Sequence, residues 1–97
     1  MDIQEAKKQV CAAGLQLLRE GLVARTWGNV SIKVNDRQMV ITPSGRKYDE
    51  LTPEDMVLVD FYTWKYEGNI KPSSELKLHG EVYKTRTHIN SVIHTHQ

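Results

Sequence analysis

The apolar residues of this chain recur at two different spacings, and the spacing changes after Gly21. From Ile3 to Glu20 they follow the period of an amphipathic helix, and Gly21 supplies a stop signal. From Asn29 onwards, short segments alternate between polar and apolar side chains, as half-buried strands do. The pattern therefore predicts a scaffold helix followed by a sheet.

Four extended segments are predicted after this first helix. Residues 29–34 and 39–42 flank the turn-forming pair Asn35-Asp36, and so we expect a β-hairpin there. Residues 56–60 form an apolar strand, and the aromatic residues 61–66 are typical of another. We expect these two segments to pair as a second hairpin.

The last third of the chain predicts a helix and then a strand. Apolar residues from Leu76 to Tyr83 lie at helical spacing, and Ser73 or Ser74 could act as the N-cap. Residues 89–96 then have the pattern of a strand that is still running where the chain stops. No linker or repeat divides residues 1–97, so we treat them as one domain or part of one.

Composition excludes several classes of protein. The 13 basic and 12 acidic residues leave a net charge of +1 with no basic stripe, so no nucleic-acid partner is expected. No segment approaches the roughly 20 apolar residues of a membrane helix, and no signal peptide is seen. We therefore expect no membrane partner and a cytoplasmic location. Cys11, the one cysteine, is expected to be an inert core thiol.

The spacing of His94 and His96 is apt for metal binding. Residues i and i+2 of a strand point to the same face, so the two imidazoles could hold one ion. A catalytic zinc normally takes three protein ligands, so at least one must come from elsewhere. His79, on the second helix, and His88, in the turn after it, are weaker candidates.

Glu75 and three small-residue clusters could also carry chemistry. Glu75 is either a first-turn carboxylate favoured by the helix dipole or a general acid/base. The clusters could donate N–H and hydroxyl groups to a phosphate, or they could be ordinary turns and caps. They are Gly28-Asn29, Ser44-Gly45 and Ser73-Ser74.

Four motifs in one order resemble the class II aldolase/adducin family, and its fuculose-phosphate aldolase branch in particular. The resemblance runs from the first helix to the last residue, and four ordered motifs make it highly specific. The motifs are Thr26-Trp27-Gly28-Asn29-Val30-Ser31, Ile41-Thr42-Pro43-Ser44-Gly45, Lys71-Pro72-Ser73-Ser74-Glu75 and Val92-Ile93-His94-Thr95-His96.

The resemblance implies an α/β fold with a mainly antiparallel sheet flanked by helices. It also implies a zinc enzyme that reversibly cleaves a ketose 1-phosphate to dihydroxyacetone phosphate and an aldehyde. His94 and His96 would be zinc ligands, and Glu75 would be the catalytic residue that can also approach the metal. The implied phosphate-binding residues are Gly28, Asn29, Ser44, Gly45, Ser73 and Ser74. A sugar-phosphate substrate and a homo-oligomer, usually a tetramer, are implied as partners.

Relatives of the same family leave alternatives open. Related epimerases usually carry aspartate at the position of Glu75, other relatives dehydrate a methylthio sugar phosphate, and adducin-like members lack the metal chemistry. Family members are about twice as long as this chain, and their third zinc-ligand histidine lies in the C-terminal half. We therefore expect this chain to be the N-terminal part of such a domain, with apolar edges left uncovered.

Overall fold

The computed structural model describes residues 1–21 and 28–95. Two single turns of 3₁₀ helix, Tyr48–Glu50 and Pro53–Asp55, connect the second strand to the third. The helices and strands in chain order are α1 (Ile3–Arg19), β1 (Asn29–Lys33), β2 (Gln38–Ile41), β3 (Val57–Asp60), α2 (Leu76–Thr85) and β4 (Ser91–His94). The mixed α/β class predicted from the sequence is confirmed.

The four strands form one antiparallel sheet in the order β3-β2-β1-β4. The predicted first hairpin is confirmed, since β1 and β2 pair with Ser31 opposite Ile41. Strand β4 returns from α2 to pair with β1, which places His94 opposite Asn29. Strand β4 is an edge strand, and it exposes Ile93 to solvent.

Side chains alternate between the two faces of the sheet, and a separate apolar cluster covers each face. We call these the α1 face and the α2 face. The buried residues of the α1 face are Ala6, Val10, Cys11, Leu17, Val30, Val34, Val40, Tyr48, Leu51, Met56 and Leu58. Those of the α2 face are Met39, Ile41, Val57, Val59, Phe61 and Tyr83.

Cys11 is a core residue of the α1 face, as the sequence predicts. Its Sγ lies 3.6 Å from the carbonyl oxygen of Leu51. Burial raises the pKa of the Cys11 thiol, and the carboxylates of Asp55 and Glu54 raise it further. Because the thiolate is the nucleophilic form, this environment keeps the cysteine unreactive.

The predicted strand at residues 61–66 is wrong, because residues 61–63 form a turn and only Tyr66 pairs with β3. Asp60 Oδ1 accepts hydrogen bonds from the backbone N–H groups of Tyr62 at 2.8 Å and Thr63 at 3.0 Å. The chain then turns at Trp64, whose φ is 65°, and Tyr66 makes an isolated bridge to Val59. A short acidic side chain thus closes a tight turn, and the returning segment pairs with β3 only at this bridge.

Helix α2 begins later than the sequence predicts, and neither serine is its N-cap. Glu75 takes the N-cap position, with φ −96° and ψ 20°. Ser73 Oγ accepts a hydrogen bond from the backbone N–H of Glu75 at 3.2 Å. Within the described part of the chain, no helix is both long enough and apolar enough to cross a bilayer.

Candidate active site

Strand β1 and helix α2 face each other with polar side chains at matching spacings. Asn29 and Ser31 lie two residues apart in β1 and so point to the same face. Glu75, His79 and Tyr83 lie four residues apart and so follow one side of α2. Local periodicity therefore aligns two rows of polar groups on the α2 face.

The two rows interlock as one chain of hydrogen bonds. Asn29 Nδ2 donates to Glu75 Oε2 at 3.0 Å, and Asn29 Oδ1 contacts His79 Nε2. Ser31 Oγ lies 2.6 Å from His79 Nδ1 and 2.6 Å from the Tyr83 hydroxyl. Each strand residue thus bridges two consecutive members of the helix row.

Burial controls the ionisation of His79 and Tyr83. Burial lowers the pKa of His79 to about 4; Glu75 opposes this shift and His94 adds to it. Burial raises the pKa of Tyr83 to about 12, and the hydrogen bonds that Tyr83 shares with Ser31 and with the Val92 backbone oppose this shift. At neutral pH the imidazole and the phenol are therefore both uncharged.

Glu75 joins this buried chain to the solvent-accessible end of the site. Its carboxylate contacts His94 Nδ1 as well as the Asn29 amide. The side chains of Glu75 and His94 are 31% and 35% exposed. A part-exposed carboxylate that a buried amide holds in place can exchange a proton with a bound molecule.

The contact between Glu75 and His94 depends on long-range pairing. Helix α2 presents the carboxylate, and the β1–β4 register places His94 opposite Asn29, the residue that also contacts Glu75. His96, the other predicted metal ligand, lies outside the described residues. Its predicted alignment with His94 therefore stays a prediction.

The chemistry of the described donors suits a zinc ion. A carboxylate oxygen and an imidazole nitrogen are both zinc ligands, and here they lie in contact. Among residues 1–21 and 28–95, no three His, Cys, Asp or Glu side chains converge closely enough to hold a metal. Glu75 and His94 thus fit as two members of a larger ligand set.

The three predicted phosphate-binding clusters lie on segments joined by backbone hydrogen bonds. Ser44 N–H donates to the carbonyl of Lys71, and Ser73 N–H donates to the carbonyl of Thr42, both at 2.9 Å. Pro43 and Pro72 form a bridge between these bonds. The loop segment that carries Ser44-Gly45 is therefore paired with the loop segment that carries Ser73-Ser74.

Gly28-Asn29 is connected to these paired segments through Thr42. Thr42 N–H donates to the carbonyl of Val30 at 3.0 Å, and Thr42 Oγ1 accepts from Val30 N–H at 3.3 Å. The Tyr48 hydroxyl donates to the carbonyl of Gly28 at 2.7 Å. Gly28 itself has φ 96°, a conformation that suits glycine.

Sequence reasoning misses two members of the site, Ser31 and Tyr83. It makes His79 a weak metal candidate, and the structure gives this histidine hydrogen-bond partners within the core. The i, i+4, i+8 spacing of Glu75, His79 and Tyr83 is the available signal. Its meaning depends on knowing that β1 packs against this side of α2.

A family model, Class II Aldolase and Adducin N-terminal domain, matches residues 8–97. Among solved structures, an L-fuculose 1-phosphate aldolase matches with a TM-score of 0.88 and 34% identity, over 96% of this chain and 44% of that chain. The L-fuculose-1-phosphate aldolase of Thermus thermophilus matches with a TM-score of 0.69 and 35% identity, over 97% of this chain and 45% of that chain.

YgbL of Klebsiella pneumoniae, described as a putative aldolase/epimerase/decarboxylase, matches with a TM-score of 0.88 and 25% identity, over 100% of this chain and 46% of that chain. This chain thus spans less than half the length of each of the three. The family model takes in everything after Lys7, and two structures reach 34% and 35% identity over nearly all of this chain. The chain therefore belongs to the class II aldolase and adducin family.

Proposed function

We propose that this chain is part of a zinc-dependent aldolase that reversibly cleaves a ketose 1-phosphate, such as fuculose 1-phosphate. The products would be dihydroxyacetone phosphate and an aldehyde. The observation that carries the proposal is the position of Glu75, whose part-exposed carboxylate contacts both a buried amide and the imidazole of His94. The two fuculose-phosphate aldolases among the matched structures support the substrate class.

Zinc would be held by His94 and His96, with Glu75 able to approach it. The contact between Glu75 and His94 supports this assignment, since both donor types suit zinc. A third histidine is expected from a longer polypeptide, as the family resemblance implies. When bound, zinc supplies positive charge beside the oxygens on which negative charge develops during cleavage.

Glu75 would exchange a proton with the hydroxylated carbon next to the substrate carbonyl, C3. In cleavage, the C3–C4 bond breaks, the C4 hydroxyl gives its proton to water, and C4 becomes the aldehyde carbon. The electron pair stays with the three-carbon part as an enediolate, and Glu75, after taking up a proton from water, delivers it to C3. The hydrogen bond from Asn29 supports this role, because it fixes one carboxylate oxygen and so helps to orient the other.

The substrate phosphate would lie against Gly28, Asn29, Ser44, Gly45, Ser73 and Ser74. The hydrogen bonds that join their segments support a common site. Backbone N–H groups and hydroxyls of this kind bind phosphate well. Fixing the phosphate would place C3 at a set distance from Glu75.

An epimerase or a dehydratase on the same scaffold would use the same polar groups, and an adducin-like assembly module would use none of them. The identity of residue 75 favours the aldolase, because related epimerases usually carry aspartate there. A homo-oligomeric assembly and a cytoplasmic location stay predictions.

The test is to assay the complete product of the gene with fuculose 1-phosphate and related ketose 1-phosphates. We expect aldehyde release that is lost on chelation and restored by zinc. Glu75→Gln should lower kcat by about 10²–10⁴-fold, because it removes the proton-exchanging group. The matched control is Glu81→Gln, on the exposed side of the same helix, which should leave kcat unchanged.

The products separate the alternatives. An absence of aldehyde release from the wild-type enzyme, with and without zinc, would contradict the aldolase. An epimerised sugar phosphate or a dehydrated product would identify the two related reactions. An assembly module would lose nothing from Glu75→Gln.

A further inference from the structure

The hydrogen-bonded chain between β1 and α2 has five members: Glu75, Asn29, His79, Ser31 and Tyr83. The four members other than Glu75 are at most 4% exposed. Among the described residues, every buried side-chain nitrogen or oxygen has a hydrogen-bond partner. The chain is thus a satisfied polar network inside an otherwise apolar cluster.

The direction of every hydrogen bond follows from the Asn29 amide. Its Nδ2 can only donate and faces Glu75 Oε2, and its Oδ1 faces His79 Nε2. An amide oxygen only accepts, so His79 must carry its proton on Nε2.

The directions of the remaining two hydrogen bonds are then fixed. With the proton of His79 on Nε2, its Nδ1 is an acceptor and Ser31 must donate to it. The single hydroxyl proton of Ser31 is now used, so the Tyr83 hydroxyl donates to Ser31 Oγ. All four hydrogen bonds point in one direction along the chain that links Tyr83 and Glu75.

A flipped Asn29 amide would conflict with both of its neighbours. The oxygen would then face the Glu75 carboxylate, and the NH₂ group would face the N–H of His79. Each buried group left without a partner destabilises a protein substantially. The reverse orientation is therefore excluded as long as His79 keeps its tautomer.

We propose that His79, Ser31 and Tyr83 are positioning residues that lock the Asn29 amide in one orientation and thereby hold the Glu75 carboxylate in place. The role of these residues in turnover rests on the function proposed above. The direction of the hydrogen bonds does not, since it follows from the geometry alone. They do not touch the reacting atoms, and they act through Asn29.

The first test reads the network directly by NMR of the chain. Long-range ¹H–¹⁵N spectra should show His79 as the Nε2–H tautomer with an unprotonated Nδ1. The Asn29 side-chain amide should exchange its protons with solvent at least 10-fold more slowly than that of the exposed Asn69. A Nδ1–H tautomer, or equal exchange rates, would overturn the proposal.

Two variants test the hydrogen-bond network at separate points. Tyr83→Phe keeps the ring and removes the last donor, so the tautomer should persist while the shift of His79 Nδ1 changes through Ser31. His79→Phe should speed exchange of the Asn29 amide to the rate of an exposed amide. If His79→Phe does not fold, Ser31→Ala should still shift the Nδ1 resonance, and no shift would contradict the network.

The third test reads turnover in the complete gene product. His79→Phe should lower kcat by about 10–100-fold, as losses of partners behind an active-site group do, while KM changes by less than about 3-fold. His79→Gln restores a donor to Asn29 and should recover part of kcat. The control His88→Gln, in the exposed turn after α2, should change neither constant.

The outcomes distinguish this proposal from the proposed function. An inactive wild-type enzyme with the expected tautomer and slow exchange would contradict the aldolase and leave the network standing. An active enzyme in which His79→Phe and His79→Gln lose kcat equally would show that the residue only supports the fold.

Discussion

The two faces of the sheet are filled in different ways. The α1 face is closed by apolar side chains from one amphipathic helix, with Val30, Val40 and Leu58 beneath it. The α2 face combines an apolar cluster with the polar chain that ends at Glu75. Apolar burial depends mainly on area and packing, whereas a buried polar network depends on every partner being present. The α1 face therefore supports the fold, and the α2 face orients the candidate site.

The largest expected effect is the loss of apolar packing on the α1 face. Leu58→Ala removes a buried side chain and should lower the free energy of unfolding by about 2–5 kcal/mol. Urea unfolding followed by circular dichroism measures this at neutral pH. The His79 tautomer, on the other face, should be unchanged. A changed tautomer in this variant would show that the two faces are not independent.

Acid should lower the free energy of unfolding mainly through the α2 face. Because the pKa of His79 is lowered to about 4 from 6.5, the unfolded chain binds a proton below pH 6.5 that the folded chain does not bind until about pH 4. The contribution of the neutral His79 to the free energy of unfolding is therefore fully present above pH 6.5. It is lost as the pH drops towards 4, and the loss is on the order of 3 kcal/mol.

Two variants isolate this contribution in urea unfolding at a series of pH values. His79→Gln cannot bind the proton, so its stability should fall less steeply between pH 6.5 and 4 than that of the wild type. His88→Gln, in the exposed turn, should follow the wild-type curve. Parallel curves for the wild type and His79→Gln would contradict a neutral buried imidazole.

The difference between the faces also explains how much could be predicted from the sequence. The apolar period of α1 and the alternation of β1 and β2 are local signals, and all three elements lie where the sequence predicts. The exception is residues 61–66, whose aromatic side chains favour a strand while the Asp60 carboxylate binds the backbone into a turn. A side-chain hydrogen bond of this kind competes with β propensity, and the pattern alone could not decide between them.

The site is only partly predictable for a related reason. The motifs identify Glu75 and His94, but their contact needs the β1–β4 register, which pairs residues far apart in the chain. Ser31 and Tyr83 are ordinary strand and helix residues until that packing is known. Long-range pairing, rather than residue type, makes them part of the site.

The smallest expected effect comes from a matched pair of helix glycines, one facing each side of the sheet. A Cβ added at Gly80 in α2 would lie 2.4 Å from Cη2 of Trp64 and 3.0 Å from Cβ of Phe61. The Cβ of Phe61 is bonded to the backbone, so this neighbour cannot move away without a shift of the chain. A Cβ added at Gly14 in α1 would meet the Tyr48 ring at 3.3 Å, a much milder contact.

Both changes to alanine gain about 1 kcal/mol of helix propensity, so the difference between them reports packing. Overpacking costs about 1–3 kcal/mol, so Gly80→Ala should lower the free energy of unfolding by about 1 kcal/mol. Gly14→Ala should leave it unchanged or raise it slightly. Because Gly80 is next to His79, Gly80→Ala should also shift the His79 ring resonances, and Gly14→Ala should not. Equal effects of the two substitutions would mean that α2 is packed as loosely as α1, and rigid packing could then not be what keeps His79 aligned with Asn29.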